Sequence, residues 1–366
     1  MIFSRDPGGT NAVMQLIEPL RAKGNEVVVY GKDAALSIYR REKMDCTDLR
    51  EVLSADTQEA IAELVGTVAP DLIVTGTSSE DSTERRLWTA AERAGISSFA
   101  VLDQWTNYRL RFIPEEDAED RELVMPSFLF VMDELAKQEM IALGIDGDKL
   151  IVTGQPFFDY IRRTGERFTA REIEVVRREL SDDEGGLVFV FVSQPIASLH
   201  RKNGMAEDHW GYTETTVLTS VTRCLEKLTE ELRIKVTLVI RLHPKDEVDA
   251  YGEILTKLHP FIKYVFDRKT DSSLLLQAAD LVMGMFSMVL LEAAILDRPF
   301  ISVQIGLKRE SPLIFDRMGS ASSILTEVEL EKSMRAVLQG NAQQRPELHF
   351  EFGAVKRIVE HLEAYK

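Results

Sequence analysis

The stretch Leu281-Val282-Met283-Gly284-Met285-Phe286-Ser287-Met288-Val289-Leu290-Leu291-Glu292-Ala293-Ala294 holds a short apolar strand, a small-residue turn and the head of a helix, and the next apolar run is Phe300–Gln304. Strand, helix and strand in that order form the repeating unit of a parallel sheet, because parallel neighbours need a crossover and a helix supplies it. Working outward, the same alternation predicts strands at Leu187–Val192, Lys235–Arg241 and Ile262–Phe266, with helices near Thr213–Leu232, Ser273–Ala278 and Ser287–Leu296. The charged helix Ala170–Leu180 and the turn Ser181–Gly186 divide this series from an earlier one. There the strands are Met1–Ser4, Val27–Tyr30, Asp71–Val74, Ser98–Leu102, Ser127–Met132 and Lys149–Thr153, with helices at about Ala12–Ala22, Thr57–Val68, Thr83–Ala94 and Glu134–Leu143. The expected fold is α/β, with two Rossmann-like lobes and a ligand cleft between them. The expected divisions are 1–160, 161–345 and a terminal segment 346–366 whose helix, Phe352–Ala364, is able to cross back to the first lobe. Loops are expected at Glu115–Glu122 and Gly340–Arg345, and a linker near Gln155–Glu166.

The chain has 366 residues, 44 Lys and Arg against 60 Asp and Glu, and a formal net charge of -16. A single core stops growing near about 250–300 residues, which agrees with two lobes. The acidic balance argues against nucleic acid or an anionic membrane surface as the main partner, since both reward clustered Lys and Arg. Two cysteines, Cys46 and Cys224, lie far apart in a chain this long and give neither a disulfide framework nor a zinc spacing, so a cytoplasmic protein is expected. Charge at Arg5 arrives too early for a signal-peptide core, and no apolar run is long enough to span a membrane. The charged helices are compatible with a homodimer, although no heptad pattern establishes one.

Ligands of open α/β sheets bind beyond the carboxyl ends of the strands, so the loops there carry the candidates. The first is Asp6-Pro7-Gly8-Gly9-Thr10-Asn11, read either as a phosphate-cradling turn at a helix head or as a tight turn with a capping Thr10 or Asn11. It is neither a full G-x-G-x-x-G nor a Walker loop. Thr75-Gly76-Thr77-Ser78-Ser79 either bonds a sugar or phosphate or caps the following helix. In Asp103-Gln104-Trp105-Thr106-Asn107-Tyr108-Arg109, the carboxylate is placed to act as a general base toward a hydroxyl while the aromatic faces stack on sugars. The alternative is a capping Asp beside core-filling Trp105 and Tyr108.

The second series offers Arg241-Leu242-His243-Pro244-Lys245-Asp246, a local cationic spot suited to a diphosphate. Phe286, Ser287 and Met288 should open a helix whose N–H groups meet an anion, and Glu292 lies where a ribose could be reached, unless an Arg pairs with it. Ser193 and Gln194 follow a strand and can reach the same place, whereas His200-Arg201-Lys202 reads as a solvated loop. Asp146-Gly147-Asp148 and Asp182-Asp183-Glu184 read as turns, so no metal is implied.

The run Arg241-Leu242-His243-Pro244, with Ser287, Glu292-Ala293 and Asp297-Arg298-Pro299 further on, resembles the nucleotide-sugar lobe of GT-B-fold proteins. These include glycosyltransferases of capsule, teichoic-acid and lipid-sugar pathways and the UDP-N-acetylglucosamine 2-epimerases. Asp71–Thr77 and Val152-Thr153-Gly154-Gln155-Pro156 with Asp159 fit the first lobe of the same group. The resemblance implies a nucleotide-diphosphate sugar donor in the second lobe, a hydroxyl acceptor in the first, and a glycosyltransferase without a required cofactor or metal. Asp103, or alternatively Asp6, would be its base. His243, Ser287 and the N–H groups near Met288 would stabilise the departing diphosphate, and Glu292 would hold the ribose. The acids with which the epimerases move a C2 proton are replaced here by Thr75-Gly76-Thr77-Ser78 and Asp103-Gln104-Trp105-Thr106. An epimerase or hydrolase and a non-catalytic nucleotide-sugar-binding protein remain the alternatives.

Overall fold

The structure is a computed structural model that describes residues 1–114, 122–181, 186–243, 245–246, 248–256, 258–319, 323–341 and 350–365. The expected loops at Glu115–Glu122 and Gly340–Arg345 fall mostly outside these residues, and Asp182-Asp183-Glu184 and Pro244 wholly so. The chain forms two compact units, Met1–Tyr160 together with Phe350–Lys366, and Ile161–His349.

The first unit is built on β1 (Ile2–Ser4), β2 (Val29–Gly31), β3 (Thr47–Asp48), β4 (Leu72–Thr75), β5 (Ser97–Val101), β6 (Phe128–Val131) and β7 (Leu150–Val152), in the order β3-β2-β1-β4-β5-β6-β7. The second carries β8 (Leu187–Val192), β9 (Val236–Arg241), β10 (Ile262–Asp267), β11 (Leu281–Gly284) and β12 (Phe300–Ser302), in the order β10-β9-β8-β11-β12. Every neighbouring pair runs parallel. The winding therefore reverses between β1 and β4 in one unit and between β8 and β11 in the other, which leaves a crevice above the sheet at each reversal.

Composition explains which strand lies at the centre. Leu187-Val188-Phe189-Val190-Phe191-Val192 is apolar at every position and buried from Val188 to Val192, as a strand covered on both faces must be. Phe189 and Phe191 pack with Leu218, Val221 and Leu225 of the helix Glu214–Leu232. At about 25 cal/mol per Å² of apolar surface, burial of such side chains is the main stabilising term of each unit.

Among the differences from the sequence reading, which include the helices Ala34–Arg41 and Glu327–Leu338, three have a plain local cause, two of them at prolines. The first helix begins at Pro7, where Asp6 is its extended N-cap, rather than at Ala12. The stretch Gln155–Glu166, expected as the linker, does contain the division between the units, but it is chiefly the helix Pro156–Gly165 rather than a loop. Proline at the first helical position loses no hydrogen bond and has its φ already set, so both prolines start helices. The first helix then tightens to a 3-10 turn at Met14–Leu16 and resumes over Ile17–Ala22, which contains Pro19. The third difference is the strand β3, whose two residues are too short to leave a periodic signal.

The terminal helix Ala354–Glu363 belongs to the first unit, where Ile358, Val359 and Leu362 join the core of Leu16, Ile17 and Phe130. Its head has no side-chain cap of its own. Instead the Asp159 carboxylate accepts the N–H groups of Gly353 at 2.6 Å and Val355 at 3.0 Å, and Arg357 Nε donates to the Thr153 carbonyl at 2.9 Å. Among the described residues no helix is long and apolar enough to cross a membrane. Removing a helix-head acceptor costs about 1–2 kcal/mol. Asp159→Ala should therefore lower the stability of the first unit by about that amount in a urea titration.

Candidate functional site

In the second unit the winding reverses between β8 and β11, and the residues that follow these two strands meet there. Gln194 Oε1 accepts the Phe286 N–H at 3.0 Å, which ties the segment after β8 to the one after β11. Ser287 caps the helix Met288–Ile295 by accepting the Val289 N–H at 3.2 Å. The Leu290 N–H turns back to the Ser287 carbonyl at 3.0 Å, and the Met288 N–H has no partner among the described residues. That helix head keeps one donor and the positive end of its dipole for an anion.

Glu292 lies one turn further along the same helix. No Arg among the described residues forms an ion pair with it; its Oε2 accepts the Ser272 hydroxyl at 2.8 Å. Burial pushes this carboxyl up to about 7, while the Ser272 bond and the nearby Arg241 charge oppose the rise. Arg241 itself is engaged by Asp267. Asp267 is held below the usual carboxylate range because bonds from Thr270 and Arg241 outweigh its burial. The cationic spot expected from the sequence is thus weaker than its composition suggests, since its Arg already has an anion.

His243 is tied at two points. Its backbone N–H donates to Asp246 Oδ2 at 2.8 Å, and its ring Nδ1 accepts the Lys245 backbone N–H at 3.1 Å. Burial, with help from Lys245, lowers its pKa against the pull of Asp246, so the ring is neutral at pH 7. Ser193 faces inward, where its hydroxyl bonds that of Tyr251. His200 is a buried member of the helix Ile196–Lys202 rather than part of a solvated loop. Its Nδ1 contacts the Glu207 carbonyl at 2.8 Å, and its ring lies 5.3 Å from that of His209. Trp210 and Phe286, both partly exposed, have ring centroids 6.0 Å apart.

In the first unit the glycines serve close packing. A Cβ on Gly8 would sit 1.8 Å from Asp103 Oδ2, and one on Gly9 would sit 3.2 Å from the Gly76 Cα. Thr10 donates to the Asp6 carbonyl at 2.8 Å, and Asn11 Oδ1 is buried without a partner among the described residues. Asp103 forms a buried ion pair with Arg111 at 2.8 Å, and the same guanidinium nitrogen reaches Thr77 Oγ1 at 2.7 Å. Asp6 is more open, with one oxygen held by Arg5 at 2.9 Å. Thr75 Oγ1 accepts from Trp88 Nε1 at 2.9 Å, and Ser78 Oγ accepts the Glu80 and Asp81 N–H groups, each at 3.3 Å. This hydroxyl-rich turn is occupied with local structure. Trp105 and Tyr108 are buried, and their polar ends donate to Asp133 and Glu139, both at 2.7 Å.

Sequence reasoning missed Glu84 and Arg111. Glu84 sits in a Glu-Arg-Arg run that resembles a solvated helix face, yet it is 2% exposed and its Oε2 has no partner among the described residues. Burial pushes its carboxyl up to about 8, and the charges of Asp81 and Asp6 add to the rise. Asp81, three residues earlier, is held at about 2 because bonds from Lys32 and Thr83 outweigh its burial. Asp146-Gly147-Asp148 forms a 3-10 turn in which Asp146 caps Asp148 at 3.0 Å. Among the described residues no group of three His, Cys, Asp or Glu is placed to hold a metal ion.

The family of CDP-glycerol:poly(glycerophosphate) glycerophosphotransferases matches residues 121–312, just over half of the chain. The chain belongs to this family. The match to the glycerophosphotransferases contains every second-unit candidate, from Ser193 through Glu292, and leaves Asp6 to Asn11 and Asp103 outside. No curated protein matches the chain. Among solved structures, the UDP-GlcNAc 2-epimerase of Methanocaldococcus jannaschii aligns with a TM-score of 0.71 at 16% identity, covering 99% of each chain. The Neisseria meningitidis UDP-GlcNAc 2-epimerase bound to UDP-GlcNAc gives 0.65 at 14%, over 99% of this chain and 98% of that one. MurG of Acinetobacter baumannii gives 0.55 at 11%, covering 99% of each. This glycerophosphotransferase-family chain therefore has the GT-B fold that its sequence resembles.

The proton on Glu84 makes stability depend on pH. The folded state holds it up to about pH 8, whereas the unfolded carboxyl releases it near its ordinary value of 4.5. The contribution is therefore greatest below the unfolded value and is lost as pH rises toward the folded one, by up to about 1.4 kcal/mol per pH unit. Denaturant titrations from pH 5 to pH 8 should show wild type losing stability relative to Glu84→Gln. Parallel curves would mean that Glu84 is already ionised.

Proposed function

We propose that the chain is a cytoplasmic transferase of surface glycopolymer or glycoconjugate synthesis that moves a group from a nucleoside-diphosphate-linked donor to an acceptor hydroxyl. The reading is supported chiefly by one coincidence. The segment that matches the glycerophosphotransferases carries His243, just past β9, and Ser287 and Glu292, which follow β11 beside the winding reversal. The unpaired Cys46 and Cys224 agree with a reducing compartment.

In this proposal the neutral His243 donates from Nε2 to a diphosphate oxygen, the Met288 N–H meets a second, and Glu292 accepts the ribose hydroxyls. The charge growing on the leaving group is then met by preorganised donors, and no metal is needed for the step. Asp6 is the better base toward the acceptor hydroxyl, because Asp103 is buried and its charge is committed to Arg111. Asp103 would hold the head of the helix Pro7–Val13 in place.

Family membership favours a CDP-linked polyol phosphate as donor. The acceptor oxygen would then attack the phosphorus distal to the nucleoside, and the P–O bond to the departing CMP would break. A second reading, transfer of a sugar from a nucleotide-diphosphate sugar, is favoured by the partly exposed Trp210–Phe286 pair, which offers aromatic faces of the kind sugars stack on. Attack at the anomeric carbon would then release a nucleoside diphosphate. The released nucleotide distinguishes the two.

A thermal-shift screen of nucleoside mono- and diphosphates and their conjugates tests the donor site. A ligand at about 100 times its Kd stabilises the fold by about 2.7 kcal/mol, and His243→Ala and Glu292→Ala should abolish most of that shift. No shift with any nucleotide would remove the donor reading. With a donor in hand, Asp6→Asn should lower kcat by about 100-fold or more while donor affinity stays unchanged.

A further inference from the structure

Behind His243 runs a line of buried polar groups that the proposed chemistry does not use. Ser193, just past β8, and Tyr251, in the helix Asp249–Leu255, are 2% and 1% exposed, and their hydroxyls bond one another. The Tyr251 hydroxyl also lies at the Asp246 carboxylate. Asp246 is 8% exposed; its Oδ2 accepts the His243 N–H at 2.8 Å and its own N–H returns to the His243 carbonyl at 2.9 Å. Two groups pack around it: Glu214, whose Oε2 accepts the Ala197 N–H at 3.0 Å, and Arg268, which donates to the Asp246 carbonyl. The line ends on the His243 backbone N–H, and the imidazole of the same turn is held by the Lys245 backbone N–H, which Nδ1 accepts at 3.1 Å.

A ring nitrogen that accepts a hydrogen bond cannot carry the proton, so Nε2 carries it. No described residue partners Nε2. We infer that Tyr251 and Asp246 are positioning residues, which fix the His243 turn against β8 so that the ring presents a single donor, Nε2–H, to a phosphate oxygen of a nucleoside diphosphate. This rests on the reading of the second unit as the donor site. The consequence is selectivity by hydrogen-bond sense. An ionised phosphate oxygen, which only accepts, is satisfied at Nε2, whereas an ammonium or amide N–H finds nothing there to accept it. Ser193, expected from the sequence to touch ligand, acts at the far end of the line instead. A buried hydroxyl pair of this kind is worth making only when both partners are satisfied, which ties the loop to the sheet.

The test uses the full chain as wild type, Tyr251→Phe, Ser193→Ala, His243→Ala and the Tyr251→Phe/His243→Ala double variant. Long-range 1H–15N spectra of His243 report its tautomer without ligand, and calorimetric titration with CDP and UDP reports affinity. Wild type should show the Nε2–H form, and Tyr251→Phe and Ser193→Ala should each admit the Nδ1–H form. Tyr251→Phe should weaken the nucleotide about five- to tenfold, the loss of one hydrogen bond's worth. In the His243→Ala background it should add less than about twofold, because its effect passes through the ring. An unchanged tautomer in both single variants, or equal weakening with and without His243, would overturn the inference. If wild type binds neither CDP nor UDP, the donor reading fails, while the tautomer comparison still decides whether Tyr251 positions His243.

Discussion

Gly9 and Gly76 touch backbone to backbone, and that contact sets the distance between the head of the first helix and the sheet beneath it. A side chain would be crowded there: a Cβ on either residue would come within 3.0–3.2 Å of the other's Cα, and the backbone opposite would have to give way. Because the helix head sits so low, Gly8 brings its backbone against Asp103, and Asp103 in turn reaches Arg111. The carbonyl and hydroxyl of Thr77 accept from the same guanidinium nitrogen, and the Thr106 carbonyl accepts from Nε. Three successive strand ends, those of β1, β4 and β5, are fastened by this one close approach. A buried ion pair is weak evidence for stability when considered alone. Here it matters because losing either partner would leave a charge stranded under the helix.

The second unit solves the same problem with a side chain. Gln194 spans the winding reversal, and its carbonyl oxygen holds the Phe286 N–H. The two units therefore share a topology yet differ in how open the crevice is left. Backbone contact closes the first one over Gly9, whereas the second keeps the Met288 N–H and the Glu292 carboxyl near its mouth. This difference agrees with the proposed placement of the nucleotide in the second.

The architecture was legible because it rests on alternation over long stretches. Strands such as Leu187–Val192 are apolar throughout and can only be central, and the helices between them carry a plain 3.6-residue pattern. Helix starts were less legible where Pro7 and Pro156 stand, since proline marks both a break and a beginning. The motifs at Arg241–His243 and Ser287–Glu292 were found because they follow strands. Their partners were not, because Ser272 and Asp267 lie 20 and 26 residues from Glu292 and Arg241, and Tyr251 lies 58 residues from Ser193. Glu84 was hidden for a different reason. A Glu followed by two Arg residues looks solvated in any sequence, and only burial shows that its carboxyl is kept from water.

The clamp of Asp159 on Gly353 and Val355 has a consequence for biosynthesis. The first unit is assembled from two stretches of chain separated by the whole of Ile161–His349, whereas the second is continuous. During translation the apolar side of Leu16 and Ile17 must wait, uncovered, until Ile358, Val359 and Leu362 leave the ribosome. The continuous unit is thus free to fold first, although it is encoded later than most of its neighbour. For that interval the earlier sheet is a surface for chaperones rather than a finished domain.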